Sequence, residues 1–294
     1  MSTSTKAPNG GLDEREIKLV ANALRRDIID MLEKSKSGHP GGSLSAADVM
    51  ATLYFSGVLD YNREDPTDHT GDRFFLSKGH CAPVLYAVYH QLGWIEDEDI
   101  LTLRQLGSKL QGHPDCHALA GIEVCSGSLG QGLAIASGVA LGLRMDGSTA
   151  HVFTLLGDGE MQEGSNWEAL MFAAHRGLDN LTMILDLNNL QIDGHVTEVC
   201  SLGDVDAKLQ AFGWSVQHVD GHNIPALYDA LMVAKAATGT LGAPTAIVMD
   251  TVKGKGVSFM EDQCGWHGVA PNAEQAAAAR AELAAERERI EKGA

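Results

Sequence analysis

From residue 151 onward, short apolar runs alternate with segments whose apolar residues recur at helical spacing. The apolar runs are HVFTLL, LTMILDL, WSVQHVD and PTAIVMDT, and the helical segments between them are SNWEALMFAAHRG, DVDAKLQAFG and IPALYDALMVAKAA. Strands that are apolar throughout are buried on both faces of a sheet. The alternation therefore predicts an α/β fold, a mostly parallel sheet with helices on both faces.

The first half of the chain contains fewer strands. Apolar spacing predicts helices over 13–36 and 45–55, and the stretch DRFFLSKGH predicts a short strand before a helix that ends near Leu92. No linker divides the chain, so we expect a flexible arm over 1–12, one module over 13–272 and a C-terminal surface helix over 273–294. A partner contact is the less favoured interpretation of that last helix.

Two polar positions follow neighbouring strands of the predicted sheet. The run HVFTLL leads into Gly157-Asp158-Gly159, and LTMILDL is followed directly by Asn188. One crossover helix brings these strand ends together, so a carboxylate, an amide oxygen and a loop carbonyl form half of a hard-oxygen site that suits Mg²⁺. The glycines allow a diphosphate to approach the backbone. The alternative is an ordinary strand–helix turn with a solvent-facing aspartate, and the asparagine pair favours the metal–diphosphate interpretation.

Charge and cysteine usage narrow the classes of partner. The formal net charge of −17 argues against nucleic acid and against anionic membranes, so phosphate binding would need a local site or a metal. Five cysteines occur without a CxxC pair, which indicates reduced thiols. No apolar run has the length of a membrane span. We therefore expect a cytoplasmic protein.

Further motifs carry a resemblance to a known family. GDGEMQEG, followed by the asparagine pair, resembles the thiamine diphosphate motif, and KSGHPGGSLS, SKGHCAP, QGHPD, SGSLGQG and GWHG resemble transketolase motifs in the family's order. The resemblance extends from about Asp13 to Pro271. It implies the thiamine diphosphate-binding fold and a reaction that transfers a two-carbon glycolyl unit from a ketose to an aldose, with thiamine diphosphate as the electron sink.

The resemblance also implies roles for individual residues. The metal, Mg²⁺ with Ca²⁺ or Mn²⁺ as alternatives, would be held by Asp158, Asn188 and the carbonyl of Leu190. The catalytic residues would be His39, His80, His113 and His267. Cofactor contacts would come from His80, Gly127, Ser128, Leu129, Gly157, Asp158, Gly159, Glu163, Asn188 and His267. Glu163 and Glu168 match acids that form a buried network between two active sites in the family.

A partner chain is a further expectation. The sequence has about half the length of an ordinary transketolase, and the half without a counterpart here carries the family's pyrimidine-binding module. The resemblance therefore implies a second polypeptide, a C-terminal transketolase subunit, most simply in an α₂β₂ assembly. The implied substrates are sugar phosphates or related sugars.

Two alternatives remain open. A deoxyxylulose-phosphate synthase or a 2-oxo acid dehydrogenase subunit shares the GDG and asparagine motifs, although the four histidines favour transketolase. A non-catalytic regulatory module is disfavoured by the intact metal and histidine set.

Cys81 is expected to be a packing residue, His222 a loop residue, and Glu160 has no assigned role. The histidines expected to be structural are His69, His90, His117, His151, His175, His195 and His218.

Overall fold

The structure is a computed structural model that describes residues 11–293. Most of the predicted arm, residues 1–10, lies outside the described residues, and the backbone N–H of Leu12 already donates to the carbonyl of Phe55. The helices are α1 (Glu14–Ser35), α2 (Pro40–Ser45), α3 (Ala47–Phe55), α4 (Ala82–Leu92), α5 (Asp97–Ile100), α6 (Gly132–Met145), α7 (Gly164–His175), α8 (Val196–Val199), α9 (Val205–Ala211), α10 (Ile224–Ala236) and α11 (Ala273–Lys292). The strands are β1 (Arg73–Leu76), β2 (Val152–Gly157), β3 (Leu181–Leu187), β4 (Leu190–Gln191), β5 (Gly194–His195), β6 (Ser215–Asp220) and β7 (Thr245–Asp250).

Five of these strands form one sheet in the order β1-β2-β3-β7-β6, and every neighbouring pair in it is parallel. The remaining two, β4 and β5, form a small antiparallel hairpin directly after β3. Consecutive residues of β2 contribute to different clusters, Leu155 to one core and Leu156 to the other. The first core contains α1, α3, α4 and α10, and the second contains α6, α7 and α9. The predicted parallel sheet with helices on both faces is confirmed.

The first part of the chain follows the predicted helices with one difference. The helix predicted over 13–36 spans Glu14–Ser35 and begins with a capping box between Asp13 and Glu16. The helix predicted over 45–55 is replaced by α2 and α3, because Pro40 occupies the first position of a helix that starts earlier. Gly42, within α2, packs against the turn that follows β1, where a Cβ atom would lie 2.7 Å from the Sγ of Cys81.

The C-terminal helix lies along α1. Its buried residues are Ala276, Ala279 and Leu283, and the side-chain amide of Asn22 donates to the carbonyl of Leu283 at 2.9 Å. One face of the helix is therefore part of the first core, and Arg280 beside that face pairs with Asp30 and Glu33 of α1. Within residues 11–293, no helix combines the length and the apolar character that a membrane span requires.

Candidate active site

A cavity of about 240 Å³ opens at the carboxyl edge of the sheet. The loops that follow β1, β2, β3 and β7 meet there, as expected for a ligand site of a parallel sheet. Its lining residues are Gly42, Lys78, His80, Leu129, Gly157, Asp158, Gly159, Glu160, Gln162, Glu163, Asn188, Leu190, Gln191, Ile192, Asp193, Lys253 and His267. The sheet therefore brings most of the residues singled out by sequence to one place.

Asp158 is a buried carboxylate directly after β2. One of its oxygens accepts a hydrogen bond from the N–H of Gly159 at 2.7 Å, and the other accepts from the N–H of Asn189. Burial, together with the nearby carboxylate of Asp186, raises the pKa of Asp158 to about 6. Within residues 11–293 it forms no ion pair. A bound cation would stabilise the ionised carboxylate of Asp158 in this buried environment.

The asparagine loop supplies further oxygen atoms on the same wall. The Oδ1 of Asn188 accepts a hydrogen bond from the N–H of Leu190 at 3.2 Å. The intervening residue, Asn189, has φ +61°, and this left-handed conformation turns the chain back toward β2. The carbonyl of Leu190 accepts from the Nζ of Lys253 at 2.7 Å. The three residues expected to hold the metal thus line one cavity.

Two buried lysines in the cavity wall were not predicted from the sequence. The ammonium of Lys78 pairs with Asp186 and donates to the carbonyl of Gly42 at 3.0 Å. Burial lowers the pKa of Lys78, but the acidic groups around it, chiefly Asp186, together outweigh burial, and the net shift of the pKa is upward. Lys253 has no carboxylate partner among the described residues, and burial lowers its pKa. Lys78 lies two residues after β1, a signal that could have identified it, whereas Lys253 lies three residues after β7 in an irregular loop.

The four predicted histidines form one cluster. The rings of His80 and His267 stack with centroids 5.2 Å apart. The ring of His39 lies 5.2 Å from His80, 5.6 Å from His267 and 6.4 Å from His113. His80 and His267 line the cavity, and His39 continues the cluster toward His113. Short motifs spread over 229 positions, 39 to 267, therefore meet at one site.

The surroundings keep these imidazoles neutral. Burial and the guanidinium of Arg104 lower the pKa of His39 to about 4, and burial and Lys253 lower that of His267 to about 3. Burial also depresses the pKa of His80 and His113. A neutral imidazole has one nitrogen that donates and one that accepts. The cluster can therefore exchange hydrogen bonds with hydroxyl groups at neutral pH.

Glu160, which had no predicted role, joins three segments of the cavity wall. Its carboxylate accepts from the N–H of Gly130 at 3.0 Å, from the N–H of Gly157 at 3.1 Å and from the hydroxyl of Ser77. Burial raises the pKa of Glu160. These contacts tie the glycine-rich loop to the ends of β1 and β2. Glu160 therefore positions the loop that precedes α6.

The glycine-rich loop lies partly in the cavity and partly beside it. Leu129 lines the cavity, whereas Gly127 and Ser128 are exposed. A Cβ atom on Gly127 would lie 3.6 Å from the ring of His113, and one on Gly79 would lie 1.8 Å from the carbonyl oxygen of Ser126. Only glycine fits at position 79 because the loop passes so close to it.

The predicted acid pair lies at the surface of the chain. Glu163 lines the cavity and Glu168 lies on α7, but both are exposed within this single chain. The burial expected for a network between active sites would therefore need a second chain.

The remaining singled-out side chains do not line the cavity. Cys81 is buried in the first core, in agreement with a packing role. His222 lies in its predicted loop, where it contacts Asp48 at 2.7 Å and accepts from the N–H of Val252 at 2.9 Å. Among the histidines expected to be structural, His90 bridges Asp27 and Asp97, and His151 is bonded to Thr182 and Thr238. These contacts stabilise the fold and do not reach the cavity.

A comparison with known proteins adds an independent line of evidence. The family profile "Transketolase, thiamine diphosphate binding domain" matches residues 16–291. The transketolase of Campylobacter jejuni superposes with a TM-score of 0.85 at 32% identity, covering 95% of this chain and 46% of that one. Human transketolase is 42% identical over 253 residues, which are 86% of this chain and 39% of the human protein. The chain spans less than half the length of these two relatives.

Two relatives of similar length are named as transketolase subunits. The 6-deoxy-6-sulfo-D-fructose transketolase subunit SqwG of Clostridium sp. (strain MSTE9) is 40% identical over 274 residues, 92% of this chain and 98% of the relative. An apulose-4-phosphate transketolase subunit of Phocaeicola vulgatus is 38% identical over 276 residues, 94% of this chain and 96% of the relative. The chain belongs to the transketolase family and carries that family's thiamine diphosphate-binding domain.

Proposed function

We propose that this chain is the diphosphate-binding subunit of a two-chain transketolase. The complex would transfer a two-carbon ketol unit from a ketose, or ketose phosphate, to an aldose. Support comes from the two relatives of similar length, both named as transketolase subunits, and from the matching family profile. Because both relatives of similar length are named as transketolase subunits, the alternative activities, a deoxyxylulose-phosphate synthase or a 2-oxo acid dehydrogenase, are not favoured.

The observation that carries the proposal is a buried ammonium and a buried carboxylate in one cavity, neither of which forms an ion pair among residues 11–293. The ammonium of Lys253 and the carboxylate of Asp158 attract each other, but burial outweighs that attraction, because the pKa of Lys253 is lowered and the pKa of Asp158 is raised. Buried charges require partners because desolvation is costly. A diphosphate with its divalent cation supplies both partners at once, a negative group for Lys253 and a positive ion for Asp158.

The donor set fits Mg²⁺, with Ca²⁺ or Mn²⁺ as alternatives. The oxygens of Asp158, Asn188 and the Leu190 carbonyl are hard ligands, and diphosphate oxygens and water would complete an octahedron. Lys253 now bonds the carbonyl of Leu190, so its ammonium would turn toward the diphosphate when the ion binds. Gly157 and Gly159 leave room beside the strand end because neither carries a side chain.

The bound thiamine diphosphate would supply the carbon nucleophile and the electron sink for breaking a ketose carbon–carbon bond. The chain's own residues would bind and orient the substrate. His39, His113 and His267 would exchange hydrogen bonds with sugar hydroxyls, and their neutral state lets each ring both donate and accept. His80 would lie at the diphosphate end beside Lys78.

A partner would complete the site from the exposed side. Glu163, Leu129 and the start of α7 are exposed beside the cavity, and α6 and α7 carry further exposed apolar side chains. We propose a C-terminal transketolase subunit with the pyrimidine module, in an α₂β₂ assembly within the cytoplasm. The five cysteines are free thiols, which agrees with that compartment.

The test combines the chain with a candidate pyrimidine-module subunit from the same organism. Ketol transfer from a ketose phosphate should require both chains, thiamine diphosphate and Mg²⁺, and EDTA should remove both activity and the cofactor-dependent rise in melting temperature. Asp158→Ala should abolish Mg²⁺-dependent cofactor binding, while Asp193→Ala, on the same wall but outside the ligand set, should retain it. Ordinary ketol transfer by the chain alone, or pyruvate as the required donor, would overturn the proposal.

A further inference from the structure

A second group of ligand-type side chains lies outside the cavity, in the long loop between α5 and α6. Asp115, Cys116, His117 and Cys125 each offer one donor atom, and these atoms all lie within 4.8 Å of one another. The two Sγ atoms are 3.5 Å apart, and the Sγ of Cys125 lies 3.4 Å from the Oδ1 of Asp115. None of these side chains has a role in the site described above.

Two of these separations are closer to those of a tetrahedral metal site than to the sulfur–sulfur bond of a disulfide. Zinc–sulfur and zinc–oxygen bonds of about 2.3 and 2.1 Å place two sulfurs about 3.8 Å apart, and a sulfur and an oxygen about 3.6 Å apart. The sulfur–sulfur distance of 3.5 Å and the sulfur–oxygen distance of 3.4 Å in the structure are close to these values. A disulfide would require the sulfurs to approach to about 2.05 Å. Two thiolates with an imidazole also favour a thiophilic ion over Mg²⁺ or Ca²⁺.

The fold holds both ends of the 114–126 segment of this loop in place. The N–H of Ser126 donates to the carbonyl of Pro114 at 3.3 Å, which brings the residues beside Cys125 and Asp115 together. Leu119 and Ile122 anchor the middle of the loop in the first core. The donor atoms are therefore gathered by contacts that do not depend on an ion. His117 and Cys125 are exposed, so an ion can enter from solvent.

We propose that Asp115, Cys116, His117 and Cys125 bind one thiophilic divalent cation, with Zn²⁺ as the best match. The ion would hold together the segments that carry His113 and Gly127 in the active-site wall. Asp115 is two residues after His113, and Cys125 is two residues before Gly127. Gly127 and the ring of His113 already lie side by side. The bound ion would fix that spacing, and its binding would release the two thiol protons.

The experiment uses the full chain, reduced and stripped of metal by a chelator. We expect one equivalent of Co²⁺ to bind with the intense near-ultraviolet absorption of a thiolate–cobalt bond, and Zn²⁺ to displace it. The double variant Cys116→Ser/Cys125→Ser should lose this absorption and bind Zn²⁺ at least about 100-fold more weakly. The matched control, Cys200→Ser/Cys264→Ser, removes two exposed thiols elsewhere and should behave as the parent chain.

A second variant guards against an effect on folding. Asp115→Ala/His117→Ala keeps both thiols and should still weaken Zn²⁺ binding, while melting temperatures without metal stay close to the parent value. The absence of thiolate–cobalt absorption in the reduced parent chain would overturn the site, as would undiminished Zn²⁺ binding in the double cysteine variant. Cofactor binding is not measured, and an ion held by Asp158 gives no thiolate band, so failure here is distinct from failure of the proposed function.

Discussion

At the scale of single residues, Lys253 is the side chain that bears most directly on anion binding. Its ammonium is buried at the cavity wall, bonded to the Leu190 carbonyl at 2.7 Å and to the Nδ1 of His267 at 2.9 Å. In a chain with a net charge of −17, such a cation provides a local positive site for an anion. This explains how an acidic protein can bind a diphosphate without a basic surface.

We expect Lys253→Met to weaken thiamine diphosphate binding by about 10- to 100-fold, because charge-assisted hydrogen bonds contribute about 1.5–3 kcal/mol. Folding should be little affected, because loss of the hydrogen bond to the Leu190 carbonyl is offset by removal of a buried ammonium that is costly to desolvate. Calorimetric titration of the cofactor with excess Mg²⁺ measures the effect. Lys255→Met is the matched control, because Lys255 is half-exposed and pairs with Glu261. Equal affinities for both variants would remove Lys253 from the binding site.

Glu160 makes a second prediction at this scale. Glu160→Gln replaces one acceptor oxygen by an amide group, so one of the N–H or O–H donors now bonded to the carboxylate loses its partner. A buried unsatisfied donor costs about 1–3 kcal/mol, and the free energy of unfolding should fall by that amount. Chemical denaturation measures it. Glu163→Gln, at an exposed position three residues later, should leave the free energy of unfolding unchanged; a similar loss there would contradict the role given to Glu160.

These residues show where prediction from the sequence ends. Asp158 and Asn188 could be predicted to meet because each directly follows a strand and adjacent parallel strands end at one edge. Lys253 lies three residues beyond β7, in a loop whose path depends on tertiary contacts. The partners of Glu160 come from three separate segments. Local spacing in the sequence contains no information about such contacts, so the role of Glu160 is visible only in the structure.

At the scale of elements, a histidine bridge joins α1 and α4. The Nδ1 of His90 on α4 lies 2.8 Å from the carboxylate of Asp27 on α1, and its Nε2 lies 2.8 Å from the exposed carboxylate of Asp97. The hydrogen bond to Asp27 is the main reason that the pKa of His90 rises to about 9. The bridge therefore holds two core helices together in its protonated form.

Stability should depend on pH through this bridge. The pKa of His90 is raised from 6.5 in the unfolded chain to about 9, so its contribution is complete below pH 6.5 and is lost as pH rises through 9. His90→Gln should lower the free energy of unfolding by about 1 kcal/mol more at pH 6 than at pH 9.5, a value reduced for solvent screening at Asp97. Urea denaturation at both pH values measures the difference. If the free energies of unfolding of the parent chain and the variant differed by the same amount at both pH values, the bridge would be contradicted.

Elements also differ in how well the sequence predicts them. The strands from β2 to β7 in the main sheet were predictable because their apolar runs are bounded by polar or glycine residues. The division between α2 and α3 was not, because the Pro40-Gly41-Gly42 start can end one helix or begin another. The division between the two helices is decided by tertiary contacts, the close packing of Gly41 against Lys253 and of Gly42 against Cys81.

At the scale of the whole molecule, α6 and α7 present apolar side chains to solvent beside the cavity. Ile135 lies on α6 and Phe172 on α7, and Met171 on α7 is 58% exposed. Both helices begin at the cavity, one after Leu129 and the other after Glu163. Exposed apolar side chains that adjoin a functional cavity are typical of a protein–protein interface. A partner seated there would also cover Glu163 and Glu168, which would explain their exposure in the single chain.

We therefore expect Met171→Glu to weaken association with the partner subunit by at least tenfold, a loss of about 1.4 kcal/mol, because it places an unpaired charge in an apolar contact. Sedimentation velocity of the mixed subunits measures this, and the melting temperature of the isolated chain should not change because the side chain is exposed. Val233→Glu on α10 is the control, with 60% exposure at a helix that packs in the first core on the other face of the sheet. If both variants assembled as the parent chain does, α7 would not be the partner surface. Equal weakening by both would indicate a general effect of charge.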